Sequence, residues 1–234
     1  MTAQEISTIL RRLADPQTAE HSQRFFKTGP GQYGEGDLFL GIRVPVLREQ
    51  AKKFKDTPLA EARRLLRSAG HEERLCALLL LVQKFSKGSP EDQKSIYELY
   101  MQNTRYINNW DLVDLSAYLI PGPYLADRDK RPLYRLARSK NLWERRIAII
   151  STFHFIKKNR FTDALEIAGM LLTDREDLMH KAVGWMLREI GKRDPAVEKE
   201  FLKTHYQRMP RTMLRYAIEK FPEDERQRYL KGLV

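Results

Sequence analysis

"HKAVGWMLREIGK", residues 180–192, sets a small residue, Ala182, inside an apolar stripe with helical spacing. Three other stretches do the same: "ERLCALLLLVQKF" around Ala77, "ERRIAIISTFHFIKK" around Ala148 and "LRYAIEKF" around Ala217. The four alanines fall 71, 34 and 35 residues apart. Since 71 is about twice either of the other spacings, a further unit should centre near residue 112, inside "YINNWDLVDLSAYLI", residues 106–120. That stretch reads as a mostly apolar helix. A period of this length leaves room for two helices per unit, and alternating strand patterns are absent. The expected fold is therefore all-α, a HEAT-like repeat α-solenoid whose stacked helix pairs curve around a concave, basic groove. The signature residues of TPR units are missing, which favours HEAT-like pairs. Residues 1–234 read as a single such domain.

Start signals punctuate the helices. Thr2 with Glu5 has the pattern of a capping box, and Asp15-Pro16, Thr57-Pro58, Ser89-Pro90 and Asp194-Pro195 each place a proline just inside a helix. One segment resists the repeat: "KTGPGQYGEGDLFLGIRVP" has glycines at 29, 31, 34, 36 and 41. It lacks the Gly-Lys-Ser/Thr ending of a phosphate-binding loop and follows no strand, so it reads as a structured loop between early helices.

Composition narrows the function classes. Lys and Arg number 42 against 31 Asp and Glu, a formal charge of +11, which favours a polyanionic partner, nucleic acid first. The solitary Cys76 lies within "RLCALLLLV" and reads as a small buried hydrophobe, so neither a disulfide framework nor a cysteine-based zinc site is available. The longest apolar run, "LCALLLLV", falls far short of a membrane span, and the first residues lack the charge order of a secretory signal. A cytoplasmic protein is expected. The histidines at 21, 71, 154, 180 and 205 show no metal-ligand spacing, and no serine or cysteine sits in a nucleophile motif, so no metal and no cofactor are expected.

Within residues 106–120, a chain this basic keeps two acids beside a tryptophan. With Asn108 as N-cap, Asp111 falls at N3, where it reaches back to the cap and meets the positive end of the helix. Asp114 lies past the first turn, four residues after Trp110, where aspartate gains little from capping. It is either a solvated or arginine-paired side chain or a functional acid. Trp110 and Trp185 read as core aromatics or as ligand contacts. In "LWERRIAII" the adjacent Arg145 and Arg146 flank the apolar stripe, so one of them can face a partner such as a phosphate. Equivalent slots in successive units would bring Trp110, Asp114, Arg146 and Trp185 to neighbouring tiers.

Taken in order, "NNWDLVD", "LWERRIAI" and "HKAVGWMLREIGK" resemble the AlkD-type DNA alkylation repair glycosylases, which are built from HEAT-like repeats. "YGEGDLFLGIRVP" is similar to the early segment of many members, so the likeness runs from about Tyr33 to Lys192. The resemblance implies a catalytic aspartate at Asp114, an aromatic neighbour at Trp110, the second family tryptophan at Trp185, and a DNA-contacting arginine at Arg146 or Arg145. It implies hydrolytic release of N3- and N7-alkylated purines from duplex DNA by a monomer without a cofactor, the lesion remaining largely stacked. The competing readings are a HEAT-repeat protein that binds DNA without cleaving it, and a protein-binding scaffold.

Overall fold

The computed structural model describes residues 1–234 as sixteen α-helices and three short 3-10 helices, with no β-strand. The all-α expectation holds. The chain divides into two compact units, Met1–Ile120 and Pro121–Val234.

The first unit contains α1 (Ala3–Arg12), α2 (Pro16–Phe25), α3 (Val44–Lys53), α4 (Leu59–Leu66), α5 (His71–Lys87), α6 (Pro90–Gln102) and α7 (Trp110–Asp114). α5 is its axle, packed against α3, α4, α6 and α7. Leu75, Ala77, Leu78, Leu80 and Leu81 are buried along it, each leucine contributing roughly 1.5–3 kcal/mol. Cys76 is fully buried there, and burial, with the nearby Glu73 charge, pushes its thiol up to about 12. Unusually for a helix start, the polar first turn of α5, His71 to Arg74, is buried as well. The Glu72 carboxylate accepts the backbone N–H groups of Leu40, Gly41 and Ile42 at 2.8, 2.7 and 3.1 Å, which fastens the end of the Gly-rich segment to α5. Gly41 is required at that crossing. Its φ is +82°, and a Cβ would stand 2.1 Å from the Asp15 carbonyl oxygen.

The second unit contains α8 (Pro121–Leu125), α9 (Arg131–Ala137), α10 (Leu142–Ser151), α11 (Phe153–Ile156), α12 (Thr162–Met170), α13 (Asp177–Gly191), α14 (Pro195–His205), α15 (Arg211–Ala217) and α16 (Glu223–Lys231). Here the alanine series becomes packing: α13 lies between α10 and α15, and Ala148, Ala182 and Ala217 are buried, one in each helix. Small residues at these slots let helix axes approach. Backbones come close at Gly184, where a Cβ would lie 2.5 Å from both the Met213 carbonyl oxygen and the Tyr216 Cβ. No helix is long and apolar enough to cross a membrane.

Four of the five start signals are present as expected. Thr2 and Glu5 form a capping box, as do Ser89 and Asp92, and Asp15 and Asp194 cap the helices that begin at Pro16 and Pro195. The fifth is shifted by one: Pro58 is itself the N-cap of α4, and Thr57 makes no cap. The helix expected around residue 112 is also shorter than its apolar pattern suggests. α7 spans Trp110–Asp114 and then tightens into turns, because Ser116 Oγ bonds the Leu112 carbonyl at 2.6 Å while its N–H reaches only to Val113. A serine bonding back onto its own helix competes with the ladder, and Pro121 follows.

Candidate nucleic-acid and catalytic site

α7 starts one residue later than the sequence pattern implies. Asn109, not Asn108, is the N-cap; its Oδ1 accepts the Trp110 N–H at 2.8 Å. Asp111 consequently stands at N2 and does not reach back to the cap. Its Oδ1 accepts the Leu112 N–H at 2.9 Å and its Oδ2 accepts from His71 Nε2 at 2.8 Å. Asp111 is structural, as anticipated, but through a buried ion pair with α5 rather than through a capping box. That leaves Asp114 as the acid of this helix on the half-buried boundary, one turn beyond the half-buried Trp110. Its charge is felt inside the unit: burial and then Asp114 raise the pKa of Tyr100, whose hydroxyl is hydrogen-bonded to Ser116 Oγ at 2.9 Å.

Trp110 does not stand alone. Phe26 stacks on it with centroids 5.2 Å apart and planes 17° apart, and Phe25 meets it edge-on at 6.0 Å. Phe25 is 57% exposed, the most exposed aromatic among the large hydrophobic residues at the surface. Sequence reasoning missed this pair. The available signal was "RFFK" at the end of α2: two adjacent aromatics on a helix point about 100° apart, so both cannot enter one core.

In the second unit, the adjacent arginines diverge. Arg145 is fully engaged: Nε and Nη2 donate to the two Asp174 carboxylate oxygens at 2.6 and 3.2 Å, and Nη1 donates to the carbonyls of Ser139 and Lys140 at 3.1 and 3.0 Å. Arg146 is 5% exposed and donates from Nη1 to the Leu178 carbonyl at 2.5 Å, in the first turn of α13. Trp185, half-buried on α13, lies 5.6 Å from the Phe153 ring, over which Lys157 Nζ is held at 4.5 Å from the centroid. Each unit thus presents a half-exposed tryptophan backed by phenylalanine. In the first an acid stands one turn away; in the second a lysine sits over the phenylalanine. No group of three or more His, Cys, Asp or Glu side chains is arranged to hold a metal ion.

An all-helical chain with a formal charge of +11 and such half-exposed aromatic clusters is suited to a polyanionic partner. Residues 6–221 match the DNA alkylation repair enzyme family, and the chain belongs to that family. Its fold is similar to a predicted DNA alkylation repair enzyme from Enterococcus faecalis, with a TM-score of 0.69 and 20% identity over 90% of this chain and 97% of that one. It is also similar to AlkD2 from Streptococcus mutans (TM-score 0.55, 19% identity, 88% and 98% covered) and to smu.31 from Streptococcus mutans UA159 (0.53, 18%, 94% and 99%). A search of curated proteins returns no significant match. The chain is a DNA alkylation repair enzyme, and DNA is its partner.

Proposed function

We propose that the enzyme is a monofunctional glycosylase that releases cationic N3- and N7-alkylated purines from duplex DNA by hydrolysis. The observation that carries this reading is the separation of the two acids on α7: Asp111 is buried against His71, whereas Asp114 stands half-exposed one turn beyond Trp110.

Alkylation at N3 or N7 gives the purine a positive charge. Breaking its bond to C1′ returns the bonding pair to the base, which leaves neutral, while positive charge develops on the sugar. No general acid is needed, unlike glycoside hydrolysis with its two carboxyl groups. One carboxylate suffices. Asp114 stabilises the oxocarbenium-like sugar and orients the attacking water, which adds its oxygen to C1′ and gives up a proton to leave an abasic site. Trp110 lies against the electron-poor deoxyribose, with a cation–π contribution of about 1 kcal/mol. Trp185 supplies a second aromatic contact to the DNA and Arg146 a phosphate contact. Arg145 is assigned to holding α10, since Asp174 and two carbonyls take up its donors.

The test is a duplex carrying one N7-methylguanine, scored for an abasic site under single-turnover conditions. Wild type should cleave. Asp114→Asn should lose on the order of a hundredfold or more in rate while DNA affinity stays equal or rises, because a negative charge leaves a polyanion-binding surface. Uracil, hypoxanthine and ethenoadenine should remain in place, since a neutral base leaves only with protonation or a shaped pocket. Duplex binding with no release of N7-methylguanine or N3-methyladenine would instead establish a DNA-binding protein that does not cleave.

A further inference from the structure

The buried first turn of α5 holds a polar chain that the chemistry above does not use. His71, 2% exposed, places Nδ1 2.8 Å from Asp37 Oδ2 and Nε2 2.8 Å from Asp111 Oδ2. Both ring nitrogens therefore face carboxylate oxygens, which only accept. A neutral imidazole has one N–H and can serve one of them; serving both requires the imidazolium. Asp37 lies midway along the Gly-rich segment, and its other oxygen accepts from Arg74, one turn along α5. Asn109, the cap of α7, donates to Asp37 Oδ2 at 3.2 Å. The charges facing His71 are thus Asp37 from the loop, Asp111 from α7 and Arg74 from its own helix. Glu72 is engaged with the N–H groups of residues 40–42, and Glu73 with Arg11 and Ser68. Phe39 stacks on the imidazole at 4.3 Å, and Phe26, which stacks on Trp110, lies 5.3 Å from it.

We infer that His71, as a doubly donating imidazolium, is a positioning residue: it locks Asp111, and with it the helix carrying Trp110 and Asp114, to Asp37 in the middle of the Gly-rich segment. It touches neither DNA nor the reacting atoms. This rests on the roles proposed for Asp114 and Trp110, and it gives the Gly-rich segment a purpose, to deliver one carboxylate to the buried bridge. Burial disfavours the charged ring, but the hydrogen bonds to Asp111 and Asp37 and their charges outweigh it, holding the pKa up at about 9. Above that pH the ring keeps one N–H, one bridge is lost, and α7 loosens.

Incorporation of 5-fluorotryptophan gives three resonances, for Trp110, Trp143 and Trp185, with Trp110→Phe as the assignment variant. The Trp110 signal of the otherwise wild-type protein should move with a midpoint near pH 9, and His71→Gln, neutral throughout, should abolish that transition. On N7-methylguanine duplex, His71→Gln should slow single-turnover release at least about tenfold near neutral pH with duplex Kd within about twofold, a loss in the chemical step rather than in binding. The wild-type rate should fall with the same alkaline midpoint and the variant's rate should not. Absence of any wild-type release would sink the glycosylase reading, and the fluorine titration would still decide the bridge. A flat wild-type Trp110 signal from about pH 7.5 to 10 overturns the inference even if His71→Gln does not fold. A folded His71→Gln protein that keeps the transition or the wild-type rate overturns it too.

Discussion

Arg145 and Arg146 are neighbours of identical chemistry, and the different roles proposed for them give different expected phenotypes. The Arg145 guanidinium joins Asp174 to the turn at Ser139 and Lys140, with the pair 15% and 5% exposed. Arg145→Ala would strand the Asp174 carboxylate and should cost on the order of 2–4 kcal/mol of stability. Its salt dependence of DNA binding should stay that of wild type. Arg146→Ala removes a buried side chain and its bond to the Leu178 carbonyl. Under the role proposed for it, the variant should bind alkylated and unmodified duplex equally less well, with a salt slope flatter by about one phosphate. Salt titrations of both variants, with melting curves in parallel, check the pair. A flatter slope for Arg145→Ala, or a loss confined to damaged DNA for Arg146→Ala, would reverse or remove these assignments.

Between elements, the decisive contact is α13 on α15. Alanine in place of a helical glycine ordinarily stabilises by about 1 kcal/mol. At Gly184 the new methyl would meet the Met213 carbonyl at 2.5 Å, and backbone cannot step aside as a flexible side chain can. Gly184→Ala should therefore destabilise by roughly 1–3 kcal/mol, read from chemical denaturation; a gain in stability would show that the helices do not approach so closely. This contact was partly legible in the sequence, because the alanine series needs only local spacing to reveal which helix face is small. The length of α7 was not legible: its apolar pattern runs on past Asp114, and what ends the helix is a serine rotamer at 116. The site divides in the same way. Trp110 and Asp114 are four residues apart and could be read together, whereas Asp37, His71 and Asp111 meet across 34 and 40 residues with no motif to join them. The Asn109 cap was missed by one residue because two asparagines stand side by side, and only the tertiary bond to Asp37 separates them.

For the molecule as a whole, one buried group in each unit weakens the fold as pH rises. In the first, His71 is raised from its ordinary 6.5 to about 9, so its contribution is complete below about pH 6.5 and lost as pH rises through 9. In the second, burial raises Glu198 on α14 to about 8, overcoming the lowering by Arg188 and Lys199. Its Oε1 has no hydrogen-bond partner, and its Oε2 occupies the space that a Cβ on Gly191 would take, 1.6 Å away. A carboxyl enclosed in this way is stable when protonated. The folded form holds its proton more tightly than the unfolded one, so stability falls from about pH 4.5 up to 8. Both groups weaken the fold on the alkaline side, even as rising pH relieves the self-repulsion of a chain with a formal charge of +11. The acid limb has the opposite sign. Asp37 is held below the usual carboxylate range because His71 and Arg74 outweigh its burial, so its contribution is lost as pH drops through that lowered value. Glu198→Gln keeps the shape and removes the ionisation. Its melting temperature should match wild type near about pH 5 and exceed it by several degrees near about pH 8.5, since one unit of pKa difference is about 1.4 kcal/mol. Calorimetry at fixed ionic strength measures both differences. A gap that is the same at both pH values would mean that Glu198 is ionised in the folded protein and compensated by a charge in the second unit.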